Sequence, residues 1–206
     1  MSIALSSAAD NSRFIYLASA SPRRRALLQQ LGLILEQVPA TVDESLQAGE
    51  TVLAYTERLA RAKASAGWRH LVAAGKPARP VLGADTAVVC DDQILGKPGD
   101  EQAGMAMLAS LSGRWHQVVT AVALLCRDDC LITSSDTRVK FRVISSTEAL
   151  AYFRTGEPVD KAGGYAIQGQ GARFVERIDG SYSGVVGLPL VETEALLQRL
   201  SVKCGW

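Results

Sequence analysis

The chain has 206 residues, enough for one sizeable α/β domain around a continuous core and too few for two independent enzymes. It is 48% hydrophobic and 21% charged with a formal net charge of +1, which excludes disorder throughout and any global electrostatic drive toward nucleic acid or an anionic membrane. An anion site, if the chain has one, is local. Met1 to Asn11 carries an apolar patch without a basic region before it, and charges interrupt every apolar run well short of the roughly 20 residues that span a bilayer. These features predict an unexported, cytoplasmic protein with a flexible tail over residues 1–12 and a single domain over 13–206. Cys90, Cys126, Cys130 and Cys204 form no CxxC pair and read as reduced structural thiols; a zinc site from Cys126, Cys130 and His116 lacks a fourth ligand.

In chain order, Phe14 to Ala18 predicts a short buried strand, and Ser19 to Pro22 a turn into a helix that runs to Leu31 and closes at Gly32. Leu33 to Pro39 predicts a second strand, Thr41 to Glu50 an acidic loop, and Val52 to Gly67 a longer helix with Leu53, Leu59, Ala60 and Ala64 available to the core. After a Pro-punctuated linker at Lys76 to Pro80, the Val-rich run Val81 to Cys90 turns at Asp91-Asp92 into Gln93 to Leu95, a hairpin. Asp100 to Leu111 predicts a helix ended by Gly113, Gln117 to Cys126 a strongly apolar strand, and Leu131 to Val143 its partner. Thr147 to Thr155 and Glu192 to Leu200 predict two further helices around a glycine-rich stretch at Gly163 to Gly171. The pattern is that of a mixed α/β core.

Three segments carry chemistry. Ser19-Ala20-Ser21-Pro22-Arg23-Arg24-Arg25 sits where a strand ends and a helix begins, so free N–H groups, two hydroxyls and planar guanidinium groups meet at one helix N-terminus. Positive side chains in a first helical turn oppose the helix dipole, and an anionic ligand would relieve that; the plain reading is an N-cap Ser21 beside a solvated basic face. Gly83-Ala84-Asp85-Thr86 places a carboxylate inside an apolar strand, which requires a cleft, a cation or a metal. A regular hairpin pairs Cys90 with Gln93 and sets Thr86 opposite Lys97, with Asp85 on the other face unless a bulge at Gly83 or Gly96 re-aims it. A structural Asp–Lys ion pair is the competing account. Asp160 to Gly171 holds four glycines in nine residues with Gln168 among them; this permits close backbone approach to a ligand and an amide that reads a base edge, or an ordinary loop. Lys63, and the acidic pair Asp43-Glu44, are surface charges on spacing alone.

Taken together, Leu17-Ala18-Ser19-Ala20-Ser21-Pro22-Arg23-Arg24, Gly83-Ala84-Asp85-Thr86, Leu95-Gly96-Lys97-Pro98, Leu111-Ser112-Gly113-Arg114, Thr120-Ala121-Val122, Asp160-Lys161-Ala162-Gly163, Tyr165-Ala166-Ile167-Gln168-Gly169 and Gly187-Leu188-Pro189-Leu190 resemble the Maf family of nucleotide pyrophosphatases, in order and over nearly the whole chain. The resemblance implies a mixed twisted sheet flanked by helices, two lobes around a nucleotide cleft as in Maf and ITPase folds, a homodimer, and no nucleic-acid or membrane partner. It implies hydrolysis of a nucleoside triphosphate between the α and β phosphates with a divalent cation, magnesium or manganese. By the same resemblance Asp85 is the proton acceptor, Ser21, Arg24, Lys63 and Lys97 bind substrate, and Arg23, Thr86 and Gln168 mark the dTTP/UTP branch rather than the 7-methyl-GTP branch. Asp43 and Glu44 fall at the family's further acidic position, so the metal set is Asp43, Glu44 and Asp85. The family is also linked to inhibition of septum formation, for which nucleotide binding without turnover would suffice. A free Asp, with a pKa near about 3.9, is a weak base at neutral pH, so a cation would share activation of the attacking water.

Overall fold

The computed structural model describes residues 13–204, and the predicted tail lies outside the described residues. The elements run β1 (Phe14–Leu17), α1 (Pro22–Gln30), β2 (Ile34–Gln37), α2 (Val52–Ala73), β3 (Val81–Cys90), β4 (Gln93–Leu95), α3 (Glu101–Leu111), β5 (Trp115–Cys126), β6 (Asp129–Phe141), α4 (Ser146–Phe153), β7 (Val175–Asp179), α5 (Tyr182–Val186) and α6 (Leu190–Cys204). Side-chain oxygens of Ser21, Thr51, Asp100 and Ser145 cap the helices that follow them, and Ser145 with Glu148 completes a capping box. Pro22 takes the first position of α1, where the N–H it lacks has no intrahelical partner.

The described strands form one mixed sheet in the order β2-β1-β3-β5-β6-β7, with β4 added beside β3. β1 runs parallel to β2 and β3, while β3, β5, β6 and β7 are mutually antiparallel neighbours. The long central strands are buried on both faces, which is why β3 and β5 read as near-continuous apolar runs rather than alternating ones. Helix α2 covers one face through Ala60, Ala64 and Leu71 against Ala121, Ala123, Tyr16 and Val81. The opposite face is packed by Leu27, Leu28, Leu108, Leu111, Tyr152, Leu196 and Leu200 around Phe141 and Phe174. No helix among the described residues is long and apolar enough to cross a membrane.

The approach of α2 to the sheet depends on glycine. A Cβ on Gly83 would lie 2.3 Å from the Ala60 carbonyl oxygen and 2.5 Å from the Ala64 nitrogen, both backbone atoms that cannot rotate away. Gly67 plays the matching part on the helix, where a Cβ would meet Val81 and Ala18 side chains at 2.8 and 3.0 Å. The helix therefore continues six residues beyond its expected end at Gly67, because that glycine is a packing contact and not a stop. The β3 hairpin has the predicted Cys90–Gln93 pair, with Asp91 and Asp92 at φ of 50° and 59° as a two-residue turn requires. Pairing ends at Val88–Leu95, so the predicted Thr86–Lys97 pair does not form. Beyond it the Gly96 carbonyl accepts a hydrogen bond from Gly163 N instead, at 3.0 Å.

The glycine-rich stretch is two 3-10 turns, Ala162–Gly164 and Gln170–Phe174, held by one carboxylate. Glu157 accepts from Tyr152 Oη at 2.7 Å, Gln170 N at 2.9 Å and Gly171 N at 3.0 Å, and Tyr152 Oη accepts in turn from Ala166 N at 3.1 Å. Burial acts to raise the Glu157 pKa, but these bonds outweigh it and the net direction is down. Gly169 passes close enough to this carboxylate that a Cβ would lie 2.2 Å from its oxygen.

Two expectations follow from this packing. Gly83→Ala must push α2 off β3, and overpacking of this kind costs about 1–3 kcal/mol; chemical denaturation should show a lower midpoint, and an unchanged midpoint would contradict the seating of α2. Glu157→Gln keeps one acceptor oxygen for three donors and sets an amide N–H2 against a backbone N–H, a loss of about 1–3 kcal/mol. Hydrogen exchange at residues 166–171 should then quicken by about 10- to 100-fold, and unchanged protection there would show that Glu157 does not anchor the loop.

Candidate functional site

Strand β3 has β5 along one edge from Val81 to Val89, but its other edge is shared by two short partners. β1 covers Val81 and Leu82, and β4 covers Val88 to Cys90. Among the described residues no strand pairs with 83–87 on that side, and a cleft of about 620 Å³ opens there, a volume in the range of small-ligand sites. Its lining includes Ala18 to Arg24, Glu44, Tyr55 and Lys63, together with Ile94 to Lys97, Asp160 to Ala162 and Tyr165 to Gln168.

The open edge resolves how Asp85 and Thr86 can serve one site. The β3–β5 register runs from Val81–Leu125 to Val89–Gln117 without interruption, so neither Gly83 nor Gly96 re-aims Asp85 with a bulge. Asp85 faces α2 and Thr86 the opposite layer, yet both line the cleft because it reaches the strand edge-on. Asp85 Oδ1 accepts from Lys63 Nζ at 2.7 Å, and the same Nζ lies 2.6 Å from Glu44 Oε1. Burial raises the Asp85 pKa above its ordinary 3.8; the charge and hydrogen bond of Lys63 and the charge of Arg24 oppose that without overcoming it. Glu44 goes the other way, held low chiefly by its hydrogen bond with Lys63.

Arg24 is fixed from three sides. Its Nε donates to the Gly187 carbonyl at 2.9 Å, Nη1 to Ser19 Oγ at 3.2 Å and Nη2 to Thr86 Oγ1 at 3.1 Å. Burial pushes its pKa down and Asp85 counters, but a guanidinium stays charged under both. Two of its five N–H groups remain for a ligand. Arg23, Lys97 and Gln168 also line the cleft, and none of the three has a side-chain hydrogen bond or ion pair within the described residues. Ser21 lines it too, while its Oγ caps α1 by accepting from Arg24 N at 3.4 Å, so the capping and cleft readings hold together.

Of the predicted site residues, the fold brings together Ser21, Arg23, Arg24, Glu44, Lys63, Asp85, Thr86, Lys97 and Gln168. Asp43 is not among the lining residues; its carboxylate accepts from Ser45 N at 2.9 Å and from the Ser45 hydroxyl in a local turn. The Asp–Lys pair anticipated within the hairpin does exist, but its lysine is Lys63 from α2. Ser19 was expected as a hydroxyl at the α1 N-terminus and serves there as an acceptor for Arg24; Tyr165 and the Gly187 carbonyl were given no role by residue pattern. Tyr165 is backed by His116, whose Nε2 lies 2.8 Å from Tyr165 Oη and whose pKa burial lowers to about 4, so the imidazole is neutral at pH 7. A lone His in an apolar strand carries no signal of that kind, and a carbonyl carries none at all.

The family model described as Maf-like protein matches residues 14–200. A dTTP/UTP pyrophosphatase of Chromobacterium violaceum is 52% identical over 187 residues, which are 91% of this chain and 94% of that protein. Another so named, from Pseudoalteromonas translucida, is 54% identical over 184 residues, 89% of this chain and 95% of its own. Among solved structures, the Ham1 protein of Staphylococcus aureus overlaps 62% of this chain and 71% of that one at 14% identity, with a TM-score of 0.41. That overlap is too loose to bear on function. With a match over nearly every described residue and relatives above half identity along most of both chains, the chain belongs to the Maf family.

Proposed function

We propose that this protein is a nucleoside triphosphate pyrophosphatase that converts dTTP and UTP to the monophosphate and pyrophosphate, the activity by which its relatives are named. The observation that carries the reading is a buried carboxylate, Asp85, beside a cleft to which Arg23 and Lys97 bring positive charge that among the described residues has no hydrogen-bonded or ion-paired partner and meets Asp160 and Glu44 only through space. An inert ion pair needs no such excess. A triphosphate supplies the missing negative charge, and its phosphates sit at the N-terminus of α1, whose first turn holds no acidic residue.

In this reading Asp85 takes a proton from water as the water oxygen bonds to the α-phosphorus, the α–β bridging bond breaks, and pyrophosphate leaves with the bridging oxygen. Burial makes Asp85 a stronger base than a solvated aspartate, and a base works best as its pKa nears the working pH. Lys63 keeps that carboxylate aligned and Arg24, Lys97 and Arg23 offset charge gathering on the leaving group. Ser21 retains its hydroxyl proton for a phosphate oxygen, since its capping bond uses it as an acceptor.

A divalent cation suits the donor set. Glu44 and Asp85 present hard oxygen donors that converge on the Lys63 ammonium, and magnesium is commonly held by one or two carboxylates plus substrate phosphates. No cluster of three or more His, Cys, Asp or Glu side chains fit for a metal occurs among the described residues, so phosphate oxygens and water would complete the shell around Glu44 and Asp85. When bound, the cation acidifies water and neutralises the triphosphate. Asp43, turned to Ser45, has no part in this set.

Pyrophosphate release should be fastest with dTTP and UTP in a panel that includes CTP, GTP and 7-methyl-GTP, with magnesium or manganese present, and a chelator should abolish it. Preference for 7-methyl-GTP would overturn the assignment of substrate. Asp85→Asn should lower kcat by about 100-fold or more while nucleotide binding persists; binding without turnover in the unmodified protein would instead support a regulatory role. The acid limb of kcat/KM should lie above 3.8, because Asp85 must be ionised to accept a proton and burial raises its pKa. Lys63 lowers that pKa, so Lys63→Met should move the limb to higher pH, and movement to lower pH would remove Asp85 from the role of base.

A further inference from the structure

Behind the cleft, out of contact with it, Thr120 sits on β5 directly opposite Thr86 of β3. Thr120 is fully buried. The two hydroxyl oxygens are 2.9 Å apart, and Thr120 Oγ1 lies 2.8 Å from the Gly184 carbonyl oxygen in α5. A carbonyl only accepts, so the single proton of Thr120 is committed to Gly184. Thr86 must then donate its own proton to Thr120. On the other side Thr86 Oγ1 accepts from Arg24 Nη2, which only donates. The chain Arg24, Thr86, Thr120, Gly184 therefore has one proton order, fixed at both ends by groups that cannot reverse their roles.

We propose that Thr120 is a positioning residue that makes Thr86 an acceptor toward the cleft, and thereby selects nucleotides whose base carries an imide N–H. With its proton spent on Thr120 and one lone pair on Arg24, Thr86 Oγ1 retains a single lone pair for a ligand. A phosphate oxygen offers only lone pairs and cannot bond to it. The N3–H of uracil or thymine can, whereas N3 of cytosine is an acceptor and meets it lone pair to lone pair. The Thr120–Gly184 bond has a second effect, since Gly184 lies three residues before Gly187, whose carbonyl holds Arg24 Nε. One buried hydroxyl thus sets the polarity of Thr86 and steadies the segment that aims Arg24.

This inference rests on the proposed activity, and turnover of UTP by the unmodified protein tests that activity separately. Thr120→Val preserves shape and removes the acceptor for the Thr86 proton, which becomes free to turn toward the cleft and bond to N3 of cytosine. The ratio of kcat/KM for UTP over CTP should fall by roughly tenfold, through KM more than kcat, while Thr120→Ser restores it. Thr120→Ala, a smaller change in the same direction, serves if the valine variant does not fold. A merely structural threonine would lower thermal stability and leave the ratio unmoved. An unmodified UTP-to-CTP ratio in folded Thr120→Val or Thr120→Ala overturns the proposal, as does loss of the ratio in Thr120→Ser.

Discussion

Everything in the site depends on the gap along one edge of β3. A strand alternates its side chains between two faces, so neighbours such as Asp85 and Thr86 normally serve different layers of a domain. Where both edges are paired, a ligand can reach only one of those faces. Here β1 ends against Leu82 and β4 begins opposite Val88, and the five residues between them lie open to the cleft. A ligand that enters edge-on would meet both faces at once. The α2 layer supplies Lys63 and the opposite layer supplies Arg24, and a single strand brings the two into one field.

That placement has an electrostatic cost which the surrounding residues share. A lone carboxylate with the burial of Asp85 would be strongly disfavoured in its charged form. Lys63 and Arg24 reduce the penalty without removing it, which leaves Asp85 more basic than in water. Lys63 is itself divided between Asp85 and Glu44, so two carboxylates share one ammonium. The local excess of acceptor oxygen at Lys63 and the excess of cationic charge at Arg23 and Lys97 are complementary needs, which a cation and a polyanion arriving together would meet.

The strands and helices were largely legible because their signals are local: the N-cap at Ser21, and apolar runs long enough to mark β3 and β5. Where the sequence misled, the cause was tertiary. Gly67 looks like a helix stop until Val81 and Ala18 are seen against it. β7 and α5 escaped notice because Val175–Asp179 is a mixed, half-exposed run and Tyr182–Val186 is too short for periodicity to show. The site was readable as residue types but not as partnerships. Arg23 and Arg24 look alike in sequence; among the described residues Arg24 has three protein acceptors and Arg23 none. Asp43 and Glu44 were equivalent on paper, and only the turn closed by Ser45 separates them.

The difference between the two arginines also explains why three basic residues can open a helix. A cation in the first turn opposes the dipole by a few tenths to about 1 kcal/mol each, and α1 has no acidic residue there to compensate. Arg24 escapes by reaching back to carbonyl and hydroxyl oxygens of other segments, and Arg25 turns to Gln37. Arg23 alone of the three has no such acceptor within the described residues, and it faces the cleft. The helix is thus stable enough to form but carries one charge at its cleft-facing end that Asp160 offsets through space without a hydrogen bond. A bound triphosphate would relieve it further, and an interaction that recognised substrate in this way would also complete the electrostatics of the fold.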